Sequence, residues 1–347
     1  MDFSLFVHME RLSAKDTYQD LHDQFIELSM MAEAGGMNTV WTGEHHSMDF
    51  TISPNPFLLL VELAQKTEHI RLGTGTIVAP FWEPIRLAGE AAMTDLITNG
   101  RLELGIARGA YSYEYERLGG GMDAWTAGEH LREMIPALKG LWAGDYAMDG
   151  KHYAFPTSTA VPKPVQAGGP PVWVAARDPN SFDFAMKNDC HIQVTPLWNG
   201  DDEVADLMVK FKEAKTLNPD KSPKVMLLNH TAVGANEADI AQDAQDLSRF
   251  YCTFGAWFRN ERPVVNGQIK ALSAEEMAKI EMFSPENMRK NNVVGTPDQV
   301  TERIKNYQTL GYDEYSYWID SGASFKDKKR SLQLFIDEVM PNFKGAA

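Results

Sequence analysis

Apolar runs of strand length alternate along the chain with stretches in which apolar residues recur at three- and four-residue spacing, the pattern of βα units that build a parallel sheet. Eight runs read as strands: Phe3–Met9, Asn38–Thr42, Ile70–Ile77, Leu102–Ala107, Val172–Ala176, Ile192–Thr195, Val225–Val233 and Tyr315–Ile319. Eight strands separated by helices predict an α/β fold, a (β/α)8 TIM barrel. Between the first two runs, Tyr18–Ala34 carries Leu21, Phe25, Leu28 and Met31 on one helix face suited to lie on a sheet. Thr296-Pro297-Asp298-Gln299 predicts another helix start, with Thr as N-cap, Pro at the first helical position and Gln at the third. A last helix over about Phe325–Val339, with Leu332, Leu334, Phe335 and Val339, is expected to close the barrel.

Two stretches break this rhythm. The first, about 144–169, holds Asp149-Gly150, a pair that favours a tight hairpin turn, followed by prolines and Gly168-Gly169. The second, about 260–292, is longer than an ordinary barrel loop and mixes charges with Val264, Val265, Ile269 and Ile280, as a lid or binding segment would. Both read as insertions into a single domain over 1–347, a length that α/β barrels reach as one unit.

Charge and composition narrow the partners. With 33 Lys and Arg against 48 Asp and Glu, the net charge of −15 repels phosphodiester backbones, so nucleic acid is not an expected partner. No apolar run approaches the roughly 20 residues that span a bilayer, and Met1-Asp2-Phe3-Ser4 lacks the basic and apolar regions of a secretory signal. The chain is therefore expected to be cytoplasmic and free of membrane. Cys190 and Cys252 stand in neither a CxxC nor a Cys/His spacing and read as inert thiols.

Candidate chemistry gathers at strand ends. Glu44-His45-His46 follows the second run; because successive strand residues face opposite sides, only one of the two histidines is expected in a site. An imidazole that titrates near neutrality can exchange a proton there, or the pair can simply cap the strand. A carboxylate with two histidines can also bind zinc or iron, but barrel metal sites draw on alternate positions and the chain has no His-x-His, so no metal is expected. Gly73-Thr74-Gly75-Thr76 ends the third run with little side-chain bulk, which lets a flat ring approach the backbone and equally suits a plain turn. Arg108 ends the fourth run and calls for an anion or carboxylate. After the fifth, Arg177-Asp178-Pro179-Asn180-Ser181 leads into a helix start, an anion-binding arrangement; Arg177 can instead pair with Asp178. Met48, Phe50, Phe81, Trp82, Trp198, Phe254, Trp257 and Phe258 follow strand ends and could together line an apolar cavity, although each alone is more often core or interface packing.

Glu44-His45-His46, Gly73-Thr74-Gly75-Thr76, Gly105-Ile106-Ala107-Arg108-Gly109 and Val294-Gly295-Thr296-Pro297, in this order and at this spacing, resemble the bacterial luciferase family of flavin-dependent monooxygenases, from Phe3 to about Phe343. The resemblance implies an enzyme in which reduced FMN, supplied by a separate NAD(P)H:flavin reductase, reacts with O2 to oxidise a small apolar compound such as an aldehyde or ketone. It implies His45, beside Glu44, as the acid/base. It also implies a cis bond at Gly75–Thr76 against the flavin ring, with Tyr111 beside it, and a phosphate cradle of Arg108, Ser181 and the backbone near Arg177 and Asp178. His46, Phe81, Trp82, Glu114, Trp198 and Trp257 would border the substrate. Two positions depart from luciferase: Ala107 replaces a reactive cysteine, and Glu114 replaces an aspartate. A homodimer, or a heterodimer with a paralogue, is expected. The rival readings are a deazaflavin-dependent dehydrogenase of the same superfamily and a flavin-binding relative without turnover.

Overall fold

Every predicted strand forms, and the eight close on themselves. The computed structural model describes residues 1–13 and 15–343. The barrel strands are β1 (Asp2–Phe6), β2 (Thr39–Thr42), β3 (Arg71–Val78), β4 (Leu102–Ala107), β5 (Val172–Ala175), β6 (His191–Val194), β7 (Val225–Val233) and β8 (Glu314–Trp318). Each pairs in parallel with the next, and β8 returns to β1, so the ring has no free edge.

Alternation along the strands divides the core in two. Outward residues such as Leu5, Val40, Leu72, Leu104, Val174, Ile192 and Leu227 pack under the helices. Inward residues Phe6, Trp41, Trp173, Met226 and Trp318 form a second cluster inside the barrel and at its mouth. Each such buried side chain contributes roughly 1.5 to 3 kcal/mol relative to exposure. Gly73 is small for a reason: a Cβ there would enter the Trp41 indole. Near the N-terminal end of the barrel, Glu314 accepts the Trp41 Nε1–H at 3.2 Å, and Glu103 accepts the Trp173 Nε1–H at 2.7 Å while pairing with Arg71.

Helix boundaries follow local chemistry. Tyr18–Ala34 starts from a capping box at Thr17, and Pro297–Leu310 from one at Thr296 with Gln299. Three places differ from the sequence pattern. The first strand ends at Phe6, not Met9, because the chain turns away from the sheet and Met9 takes a φ of 52°. The last helix is α-helical only over Phe325–Leu334 and widens to a π-helical turn over Phe335–Val339. A short strand, Val293–Gly295, pairs with Thr231–Val233 of β7 beyond the eight expected. The stretch 144–169 holds the hairpin Tyr146–Asp149 and Ala154–Ser158. The stretch 260–292 holds a small hairpin, Val264–Val265 with Gln268–Ile269, and helices Ala274–Ala278 and Pro285–Asn291. Among the described residues, no helix is long and apolar enough to cross a membrane.

Candidate active site

At the end of β2 the chain leaves the sheet through Gly43, and the next three side chains form two crossed histidine–carboxylate pairs. His45 Nδ1 lies 2.9 Å from Glu114 Oε2, and His46 Nε2 lies 2.6 Å from Glu44 Oε1. The His46 backbone N–H donates to the other Glu114 oxygen at 2.7 Å, so one carboxylate fixes both residues. Glu44 is buried and also accepts the Val78 N–H at 2.8 Å and the Trp82 Nε1–H at 2.9 Å, which satisfies both of its oxygens. Burial alone lowers the His46 pKa, but the Glu44 hydrogen bond and the charges of Glu44 and Glu114 raise it overall.

Further rings crowd His45. His8, just past β1, lies 4.9 Å from it between ring centres, and Tyr111 meets it edge-on at 5.1 Å. Burial, with the neighbouring His45 and His230, holds the His8 imidazole well below its ordinary pKa, so it stays neutral. His230 is pushed down to about 3 by burial and stacks on Trp318 at 3.8 Å. Sequence reasoning passed over His8, Glu10 and His230. The alternate spacing of His8 and Glu10 just beyond a strand was the available signal.

Beside the turn at Glu44, whose backbone N–H donates to the Thr76 carbonyl at 3.1 Å, lies a shelf of small residues. Gly75 and Thr76 on β3, Ala107 on β4 and Ala175 on β5 are all partly or fully exposed at the C-terminal ends of three neighbouring strands. The Gly75–Thr76 bond is cis, and the β3–β4 register slips between Thr74 and Ile77. A Cβ at Gly75 would come within 2.8 Å of Phe6, so a larger residue does not fit there.

Arg108 and the Arg177–Ser181 turn stand beyond the ends of the adjacent strands β4 and β5. The exposed Arg108 donates to the Ala124 carbonyl at 3.1 Å, and among the described residues no carboxylate pairs with it. Arg177 pairs with Glu203 at 2.7 Å rather than with Asp178. Asp178 caps helix Pro179–Lys187, and the Ser181 hydroxyl closes the capping box by accepting the Arg177 and Asp178 N–H groups. Of the aromatic candidates, Phe81 faces His46 at 5.7 Å, while Trp198, Phe254 and Tyr111 form a contiguous group. Trp82 and Trp257 are buried behind the wall, the first bound to Glu44 and the second packed on Tyr113 at 5.3 Å. Both cysteines are buried, with Cys190 pushed up to about 11 by desolvation. Among the described residues, no group of three or more His, Cys, Asp or Glu is arranged to hold a metal ion.

The model of the luciferase-like monooxygenase family matches residues 1–314. The chain belongs to this family. It is 58% identical over 344 residues, 99% of this chain and 96% of the relative, to the flavin-dependent trigonelline monooxygenase, oxygenase component, of Acinetobacter baylyi. It is 28% identical to an alkanal monooxygenase alpha chain of Photorhabdus luminescens over 92% of this chain and 91% of that one. Among solved structures, monooxygenase RslO1 from Streptomyces bottropensis superposes with a TM-score of 0.83 at 21% identity, covering 99% of this chain and 100% of that one. The oxygenating constituent of 3,6-diketocamphane monooxygenase from Pseudomonas putida, in complex with FMN, superposes at 0.77 with 20% identity, covering 98% of each chain. These likenesses give the same barrel. As a luciferase-like monooxygenase, this protein is a flavin-dependent enzyme that uses O2.

Proposed function

We propose that the flavin is FMN, lying on the Gly75–Thr76, Ala107 and Ala175 shelf, and that the substrate is a small N-methylpyridinium carboxylate. The observation that carries the reading is this shelf of small, exposed residues at the same end of the barrel as the His45–Glu114 pair. It supports a flat ring held against backbone with one oriented imidazole beside it. The substrate class follows the 58%-identical relative, named for trigonelline, a charged pyridinium. It replaces the aldehyde or ketone suggested by the resemblance to luciferase.

The residues fit a flavin mononucleotide. Among the described residues Arg108 has no carboxylate partner to surrender, and Arg177 stands at the next strand end, so the two can meet a phosphate. Ser181 and Asp178 hold the turn between them through their capping box. Bound reduced flavin supplies the two electrons that let O2 deliver one oxygen atom to the substrate and leave the other as water. Glu114 fixes the Nδ1 side of His45, so Nε2 is the atom that gives or takes the proton during oxygen transfer. Glu44 is a positioning residue: it braces His46, Val78 and Trp82 under the site. Tyr111, Phe254 and Trp198 exclude water from the reacting centre.

The experiment mixes the protein and reduced FMN anaerobically with N-methylpyridinium-3-carboxylate, then admits ¹⁸O2. Label in an organic product, with substrate-coupled oxygen uptake, is the expected result. Flavin binding without oxygen uptake would favour the non-catalytic reading, and hydride transfer from a reduced deazaflavin would favour the dehydrogenase. We further read the protein as a homodimer, assembled through the apolar side chains exposed on helices Pro56–Ala64 and Pro84–Ile97.

A further inference from the structure

Four carboxylates gather around His8 and His45, and three of them are fully engaged. Both oxygens of Glu44 and of Glu114 have donors, as described above. Asp320 accepts the His8 backbone N–H at 2.6 Å with one oxygen and pairs with Lys328 at 2.7 Å through the other. Glu10 is different. It is 6% exposed; among the described residues its Oε1 has only His8 Nδ1 at 3.3 Å, and its Oε2 is buried with no partner. His8 is neutral. Burial, with the charge of Asp320, holds the Glu10 carboxyl well above its ordinary pKa against the pull of Lys328, which is itself paired with Asp320.

An uncompensated carboxyl buried among apolar groups costs folding free energy, and such a group is retained where a ligand completes it. The surroundings state what kind of ligand. Tyr111 meets His45 edge-on at 5.1 Å, Trp318 lies 6.2 Å from His8 between ring centres, and Tyr251 packs on His230, which stacks on Trp318, so these rings border the histidines beside Glu10. Phe50, Phe250 and Trp318 complete an aromatic lining, with Phe50 one residue before the backbone bridge from Glu10 to Thr51. Aromatic faces around one carboxylate attract an organic cation whose charge is spread and weakly hydrated. In the same patch the Trp318 Nε1–H is buried without an acceptor among the described residues, a place for the anionic end of a zwitterion.

We propose that Glu10 is the specificity-determining residue that recognises the positive ring of the substrate, an N-alkylated aromatic cation seated among Tyr111, Tyr251, Phe50 and Trp318. The inference rests on the substrate class given under the proposed function and adds the residue that selects it. Binding of the cation restores charge to Glu10 and supplies the partner its second oxygen lacks.

The test measures affinity of the full-length, FMN-loaded protein for two compounds of one shape: N-methylpyridinium-3-carboxylate and 3-methylbenzoate, which has C–CH3 where the first has N⁺–CH3. The wild type should prefer the cation by roughly 30-fold or more, the scale of a desolvated cation–aromatic and charge-paired contact. Glu10→Gln should erase most of that preference while 3-methylbenzoate binds as before, and Glu10→Asp should restore part of it. A preference that survives Glu10→Gln, an equal loss for both compounds, or no preference in the wild type overturns the proposal. Turnover judges the substrate class separately. A wild type that oxidises the cation while Glu10→Gln keeps the preference retains the class and removes Glu10. One that oxidises neither compound yet loses its preference in Glu10→Gln does the reverse.

Discussion

His45 and His46 are neighbours in the chain but hold different carboxylates, so their replacement should separate their roles. His45→Ala should lower turnover by roughly 10²- to 10⁴-fold, the usual range for a general acid or base, with little change in FMN affinity. His46→Ala should cost less, since His46 is tied back to buried Glu44. Single-turnover oxygenation checks this, and reversed effects would assign the chemistry to the wrong imidazole. At the phosphate end, Arg108→Ala removes a charge-assisted contact worth about 1.5 to 3 kcal/mol. FMN should bind roughly 10- to 150-fold more weakly while riboflavin, without phosphate, binds nearly as before; equal losses would defeat the assignment. A third residue governs pH. Burial, helped by the charges of Glu103 and Asp2, raises Glu314 from an ordinary 4.5 to about 7 against its hydrogen bonds from Ser4 and Trp41. Because the folded state holds this proton more tightly, its stabilising effect is complete below about 4.5 and is lost as pH rises to about 7. Glu314→Gln keeps an acceptor for Trp41 and should raise the melting temperature at pH 8, by up to about 3 kcal/mol of stability, and leave it unchanged at pH 4. Parallel melting curves for the two proteins across this range would refute the claim.

The element most suited to move is the segment 260–292. Its hairpin reaches across the mouth to Asp49, whose backbone N–H donates to the Gly267 carbonyl at 2.7 Å and whose carboxylate accepts Gln268 Nε2 at 2.7 Å. Tyr18 and Arg11 hold the same carboxylate from the other side. Asp49 therefore latches the segment shut. Hydrogen exchange should show 264–269 gaining protection when reduced FMN and a substrate analogue bind, and Asp49→Ala, which removes the acceptor of Gln268 but keeps the backbone bond to Gly267, should raise its exchange roughly 10-fold. Full protection in the free protein would make the segment a fixed part of the fold. At this scale the sequence was informative where structure is locally determined. Thr17 and Thr296 cap helices through residues three positions away, and every barrel strand carries its own apolar run. It was silent where partners are distant. His8 is fixed by Asp320, 312 positions on, and Val293–Gly295 is a strand only because β7 lies beside it. The pairing of His45 with Glu114 spans 69 positions and could not be read from either motif alone.

Over the whole molecule, the exposed face of helices Pro56–Ala64 and Pro84–Ile97 carries Leu58, Met93, Leu96 and Ile97, with Leu58 70% exposed. These are the side chains that the proposed homodimer would cover. Light scattering should find a dimer, and the double change Leu58→Glu with Leu96→Glu should yield monomers that still bind FMN; a wild-type monomer would rule the interface out. Strand β7 is nine residues long, and its last three pair with Val293–Gly295, the point where the 260–292 segment rejoins the barrel. The other end of that segment grows from the 23-residue helix Glu237–Arg259. Both moorings are rigid, so a protease cut between them would not release a fragment. The nicked halves should copurify, keep their flavin, and consume oxygen without delivering it to substrate, as a gate does when its hinges hold and its leaf is split.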